Sequence, residues 1–248
     1  MRRGKTSTAL LRIDWHAPLS SKTPRARQTD GRTRAQQLPR ALPFSQAFHL
    51  VAAGDPRPLL ILRECEGTTC SGHARITRTL GTEQTQLLTR WFRCVKLPSG
   101  VLAKVHPLYN LAMTGHDERV VPHLFFADPD GSNFRGVHSA QTQSGLWRVM
   151  MKYLQRSYEE KASEALSGMR KLLSQYDMID VAEAMVRDRI AREIKRNGPK
   201  SPGLKKLQED LDKLAGKRSV LLARQAKLQE LSLKAAVVAP PDPISGVK

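Results

Sequence analysis

Two long series of apolar residues, stepping alternately by three and four, fill most of the second half of the chain. The first runs through Met169, Leu172, Tyr176, Ile179, Glu183, Val186 and Ile190. The second runs through Leu204, Leu207, Leu211, Leu214, Arg218, Leu221, Gln225 and Leu228, with Leu231 continuing it. This spacing is the seam of a packed helix pair. Between the two series, "NGPKSPG" (Asn197 to Gly203) breaks the helix. Two helices of roughly 35–40 residues, each ~50–60 Å long at 1.5 Å per residue, are therefore expected to fold back as an antiparallel coiled-coil hairpin. That length exceeds a small domain, so most of the hairpin is expected to stand clear of the rest. Arg218 and Gln225 interrupt the second seam, which weakens a sealed two-helix contact and leaves room for a homo-oligomer or another protein partner.

Upstream, the texture changes in steps. Residues 1–40 carry ten Lys/Arg against Asp14 and Asp30, or +8 of the chain's +18. Rich in Ser, Thr, Gln and Pro, this segment is expected to be a basic, largely disordered arm, because it cannot bury enough apolar surface to offset its ordering entropy. One island, "LRIDWHAPL", alternates Leu11, Ile13 and Trp15 as a short strand does. The arm has a faint likeness to an organellar transit peptide. Its charge would attract nucleic acid weakly and without sequence preference, although no aromatic interleaving or recognition-helix pattern accompanies it.

From Leu42 onward the pattern is that of an α/β unit. "PFSQAFHLVAAG" is a helix with Pro43 at its start and Gly54 past its end. Leu59 to Leu62, bounded by prolines, form a strand covered on both faces. Helical segments follow on either side of Gly81, then the strand "WFRCVKLP". "VVPHLFFADPDGSNFRGV" reads as a strand, a turn and an antiparallel strand. A helix begins at Ser144. The resulting domains are 1–40, an α/β unit over 41–156, the hairpin over 157–236 with its break at 197–203, and a Pro-rich disordered tail over 237–248.

The span from Pro43 to Arg156 resembles the thioredoxin-like fold. The resemblance rests on "RPLLILREC" as the strand before an active-site loop, on "VVPHLFFADPDG", and on Gly136 before the last helix. It implies a mixed sheet flanked by helices, a cis proline at Pro122 across from the reactive cysteine, and substrate binding at Val121 and Pro122. Cys70 stands in the attacking position, with "SGHARITRTL" as the helix to follow, but the residue three further on is His73. The family's Cys-x-x-Cys is thus absent. Two redox readings remain open. Cys65 could be the partner of Cys70 across "EGTT", or Cys70 could work alone with His73 and the helix dipole lowering its pKa. Glu64 and Glu66 flank Cys65 and count against it as the nucleophile. Cys94, within a strand, packs as a small apolar residue.

The expected function is thiol–disulfide exchange or thiol-based sensing on a thiol- or disulfide-containing protein, with Cys70, Cys65 and His73 as the reacting set. No cofactor is called for. The alternative is a non-catalytic scaffold of the same fold acting through its hairpin. A zinc site using Cys65, Cys70, His73 and one of His106, His116 or His123 has no recognised ligand spacing. Three cysteines, an odd number, disfavour a disulfide-stapled secreted scaffold. With no apolar run of ~18 residues to span a bilayer, the expected location is the cytoplasm.

Overall fold

The computed structural model describes residues 3–18, 40–65, 70–116, 120–138 and 141–234. The chain opens with helix α1 (Lys5–Leu10) and strand β1 (Trp15–His16), then helix α2 (Phe44–Ala52) and strand β2 (Leu59–Arg63). Helices α3 (Ser71–Leu80) and α4 (Glu83–Leu88) lead through a 3-10 turn at Thr89–Trp91 into β3 (Arg93–Leu97). After helix α5 (Tyr109–Met113) come β4 (Leu124–Ala127) and β5 (Arg135–Val137). Three helices close the chain: α6 (Gln143–Ser157), α7 (Ala162–Asn197) and α8 (Gly203–Gln229).

The five strands form one mixed sheet in the order β1-β3-β2-β4-β5. β1, β3 and β2 are parallel, while β4 and β5 run antiparallel to their neighbours. Every residue of β2 is buried. Its side chains alternate faces, so Leu60 and Leu62 join one core cluster and Leu59 and Ile61 the other. β4 divides likewise, with Leu124 and Phe126 on one side and Phe125 and Ala127 on the other. Residues from α1, α3, α4, α6 and α7 cover the first face, and residues from α2 and α5 the second. The expected α/β organisation is present: β2 to β5 lie where the apolar runs indicated, whereas β1 is only Trp15–His16, with Leu11 and Ile13 outside it.

The hairpin differs from expectation in more than one respect, beginning with α8, which spans 27 residues instead of roughly 35–40. α7 and α8 pack together as the seams require, and the seam positions of α8, Leu204 through Leu228, are all half-buried. The first half of α7, however, lies inside the main core. Ala162, Ala165, Leu166 and Leu173 are buried beside the seam residues Met169, Leu172 and Tyr176. This wider apolar stripe serves the sheet and α8 at once, so only the portion beyond Ile179 leaves the core. The larger core cluster thus continues without a gap past residue 157.

The polar lapses in the seam are also filled from within. The Arg218 guanidinium pairs with Asp180 at 2.7 Å and with Glu183 at 2.9 Å, and it donates to the Thr6 hydroxyl. The Tyr176 hydroxyl donates to Gln225 Oε1 at 3.0 Å. These residues satisfy one another across the two helices instead of leaving a gap.

The first residues are more ordered than their composition indicates. The backbone N–H of Gly4 donates to Asp177 Oδ1 at 2.8 Å and that of Thr6 to Asp180 Oδ2 at 2.9 Å. Two carboxylates one turn apart on α7 thereby satisfy donors at the start of α1 that have no partner within that helix. Arg3 adds ion pairs to Asp177 at 2.6 Å and to Glu83 at 2.7 Å. The rest of the basic segment lies mostly at residues 19–39, outside the described residues.

Burial alone would raise the Asp180 carboxyl, but the hydrogen bonds from Arg218 and Thr6 outweigh it and hold the pKa below the ordinary value. A depressed carboxylate stabilises the fold above its unfolded pKa of ~3.9, and that contribution is lost as pH falls through the folded value. Asp180→Asn should therefore cost about 1–3 kcal/mol at pH 7. In urea denaturation, the gap from wild type should shrink progressively below about pH 4.

Candidate thiol–disulfide site

β2 ends at Arg63, and two residues later the chain reaches Cys65. Cys65 and Cys70 are joined by a disulfide with a Cα–Cα separation of 6.0 Å. Residues 66–69 between them lie outside the described set. Cys70 is the N-cap of α3, and its carbonyl accepts from the Ala74 N–H at 3.0 Å. The bridge therefore ties the carboxyl end of a central strand to the first turn of a ten-residue helix. Cys70 is buried and Cys65 half-buried, and neither belongs to either core cluster.

His73 lies one turn into α3. Its ring packs edge-on against that of His123, with centroids 5.5 Å apart. His73 Nε2 and His123 Nδ1 are both buried without a hydrogen-bond partner. His123 immediately precedes β4 and accepts the Arg63 backbone N–H at its carbonyl, 2.8 Å away. Burial, then the charge of Arg63 and then His73, lower the His123 pKa to about 4. The ring is thus neutral at physiological pH.

Arg63 is the residue that sequence reasoning passed over. It is only 6% exposed, and among the described residues no carboxylate pairs with it. Its Nε donates to the Pro122 carbonyl at 3.1 Å, and its Nη2 donates to the Val121 carbonyl at 3.0 Å. The same Nη2 is 3.5 Å from His123 Nε2. Burial lowers the pKa of this guanidinium. The available signal was a cation closing an otherwise apolar run, a pattern that reads from sequence as a strand emerging into water.

Val121 and Pro122 are brought to the same sheet edge, both buried. The implied cis bond at Pro122 is not found, since no peptide bond among the described residues is cis. Trans is the ground state of an X–Pro bond by about 0.5–1 kcal/mol. Gly136 is needed for close approach, because a Cβ there would overlap the Pro122 ring and lie 2.7 Å from His116 Nε2.

The remaining cysteine behaves as expected. Cys94 is buried in β3 with a free thiol, and burial pushes its pKa up to about 12. Among the described residues no group of three or more His, Cys, Asp or Glu side chains could hold a metal ion. His106 instead accepts the Leu108 N–H at Nδ1. No described helix is long and apolar enough to cross a membrane. Compared with known proteins, the chain matches no family model, no curated protein and no solved structure.

A histidine whose folded pKa lies below its unfolded value of ~6.5 contributes fully above that pH and loses its contribution as pH falls toward the folded value. Between about pH 6.5 and pH 4, His123 should therefore weaken the fold as acid is added. His123→Leu should flatten this part of the stability curve. Equilibrium urea denaturation at pH 7 and near pH 4.5 would measure the difference.

Proposed function

We propose that the chain is a thioredoxin-like thiol–disulfide oxidoreductase or thiol-based redox sensor whose working pair is Cys65 and Cys70. The observation that carries this reading is the disulfide joining the end of β2 to the N-cap of α3, two residues after Arg63, a buried guanidinium that pairs with no carboxylate among the described residues. The sheet order, with three parallel strands followed by an antiparallel pair, supports the thioredoxin-like assignment. The paired seams of α7 and α8 support reading them as an antiparallel coiled coil.

In the proposed reaction, the thiolate of a dithiol protein attacks one sulfur of the bridge. The S–S bond breaks and its electron pair leaves on the other cysteine. The second thiol of that protein, as thiolate, then attacks the mixed disulfide. Two electrons and two protons have passed to Cys65 and Cys70, and the donor departs as a disulfide. With Cys70 as the leaving sulfur, its negative charge forms at the start of α3, where unpaired N–H groups and the helix dipole favour it. Arg63 supplies a nearby positive charge that is fixed, while His73 and His123 line the same end of the sheet. Val121 and Pro122 would form the adjoining wall for a bound peptide.

We assign the protein to the cytoplasm, where a disulfide is usually transient and functional, not structural. A second reading, a scaffold that no longer exchanges thiols, is favoured by the apolar side chains exposed along the hairpin, among them Met178 and Met185.

Equilibration in thiol buffers separates the readings. The Cys65–Cys70 pair should have a potential within the range of oxidoreductases, about −270 to −120 mV, instead of below about −300 mV as structural bridges do. Arg63→Met should make the potential more negative by roughly 30 mV, because the reduced, thiolate-bearing form loses its fixed cation. A potential below −300 mV, with insulin reduction unchanged in Cys65→Ser plus Cys70→Ser, would leave the scaffold reading standing.

A further inference from the structure

The free end of the hairpin concentrates positive charge. Residues 187–206 carry eight Lys/Arg against Asp188 and Glu193, a net +6 of the chain's +18. All eight basic side chains are exposed. Among the described residues only Arg187 has a carboxylate within ion-pair distance, Glu183 at 3.2 Å. Glu193 accepts from Asn197 at 2.8 Å and from Ser201, and so ties the turn together. Lys195 and Arg196 suit the carboxyl end of α7, as cations in a last turn do. Arg189, Arg192 and Lys200 have no such role. Lys205 and Lys206 stand in the first turn of α8, where the helix dipole disfavours cations and no acidic side chain offsets them. Immediately behind, over residues 207–216, the sign reverses, with Glu209, Asp210 and Asp212 against Lys213. The positive field is therefore confined to the tip. That tip also stands clear of the sheet, since Ile179 is the last buried residue of α7 and Asn197 lies ~27 Å further along the helix.

We propose that the hairpin tip is a docking surface for the phosphate backbone of duplex nucleic acid, met end-on and without regard to sequence. Unpaired, mutually repelling cations gathered at one exposed end are what a dense phosphate array compensates, and binding there releases the counterions condensed on the duplex. The chemistry of the tip selects among anionic partners. No Phe, Tyr or Trp occurs anywhere after Tyr176, so the tip cannot stack unpaired bases as single-strand binders do. A membrane surface would need an apolar face beside the charge, yet the only large apolar side chain exposed over 187–206 is Ile194, at 42%. Width settles how the duplex is met. Two helices of ~10–12 Å diameter with axes ~8–10 Å apart make a tip roughly 20 Å across. The major groove is about 12 Å wide and admits one helix. The tip therefore bridges phosphates on the groove rims and leaves base edges untouched. This surface is separate from the basic segment at residues 1–40 and from the Cys65–Cys70 bridge.

Fluorescence anisotropy of a labelled mixed-sequence duplex of about 20 base pairs, titrated with the full chain between ~50 and ~200 mM salt, tests the proposal. A tip variant combines Arg189→Gln, Arg192→Gln, Arg196→Gln and Lys200→Gln. A control removes the same charge at the root of the hairpin through Arg170→Gln, Lys171→Gln, Arg224→Gln and Lys227→Gln, all at exposed positions. Gln is about as good a helix former as Arg and Lys, so circular dichroism of both should match wild type. Each phosphate contact contributes about 0.9 to the slope of log K against log salt. The tip variant should therefore bind at least ~10-fold more weakly at ~100 mM salt, with a slope shallower by about 3. The control should stay within about twofold of wild type with its slope unchanged, and a duplex of different sequence should bind equally. If the tip and control variants weaken binding alike, net charge is responsible and the proposal fails. It fails also if the tip variant binds as wild type does, which would assign binding to the segment at residues 1–40. Tighter binding to a single strand of the same length, or binding to phosphatidylserine vesicles but not to duplex, overturns it as well.

Discussion

Leu59 to Leu62 must all leave water, and a strand can achieve that only when both of its faces are covered. Much else in the molecule follows from this. β2 becomes the central strand, with β3 and β4 as its hydrogen-bonded neighbours, and helices are drawn to both sides of the sheet. The strand also has a defined end, where Arg63 stops the apolar run. The cysteine loop begins there, at the carboxyl edge of the parallel strands, and ends at the first turn of α3. The place of the disulfide is thus a consequence of burying four side chains in succession.

α7 is the second organising element. Its first half is core to the sheet, its seam is core to α8, and its carboxylates Asp177 and Asp180 receive the start of α1. Arg218 closes the arrangement from α8. Charges buried to this degree cost desolvation energy unless geometry and hydrogen bonds compensate. Here each carboxylate has a guanidinium and a backbone donor, which fixes the register of three helices at one point.

How much of this the sequence discloses depends on where the stabilising partner lies. The strands β2 to β5, the α3 start at Cys70 and the break after Asn197 are written in local patterns, and those patterns were readable. α1, with the sequence "KTSTAL", has almost no apolar face and exists because of two carboxylates some 170 positions away. Arg218 and Gln225 looked like defects because the residues that satisfy them, Asp180, Glu183 and Tyr176, sit on the other helix. Within the site, Cys65, Cys70 and His73 were accessible by spacing. Arg63 and His123 were not, since nothing local marks a strand-terminal cation or imidazole as buried.

The chain returns from α8 almost to the point where it entered α7. Leu233 bridges Tyr158, Glu159 donates its N–H to the Ser232 carbonyl, and Lys234 donates its own to Ser157. The part of α7 and α8 beyond Ile179 is thus an excursion from the core whose two arms are stitched together at the root. Such an element can be lengthened or shortened by matched turns in both helices without rerouting any strand. The reach of the molecule is in this way a quantity separate from the architecture of its sheet.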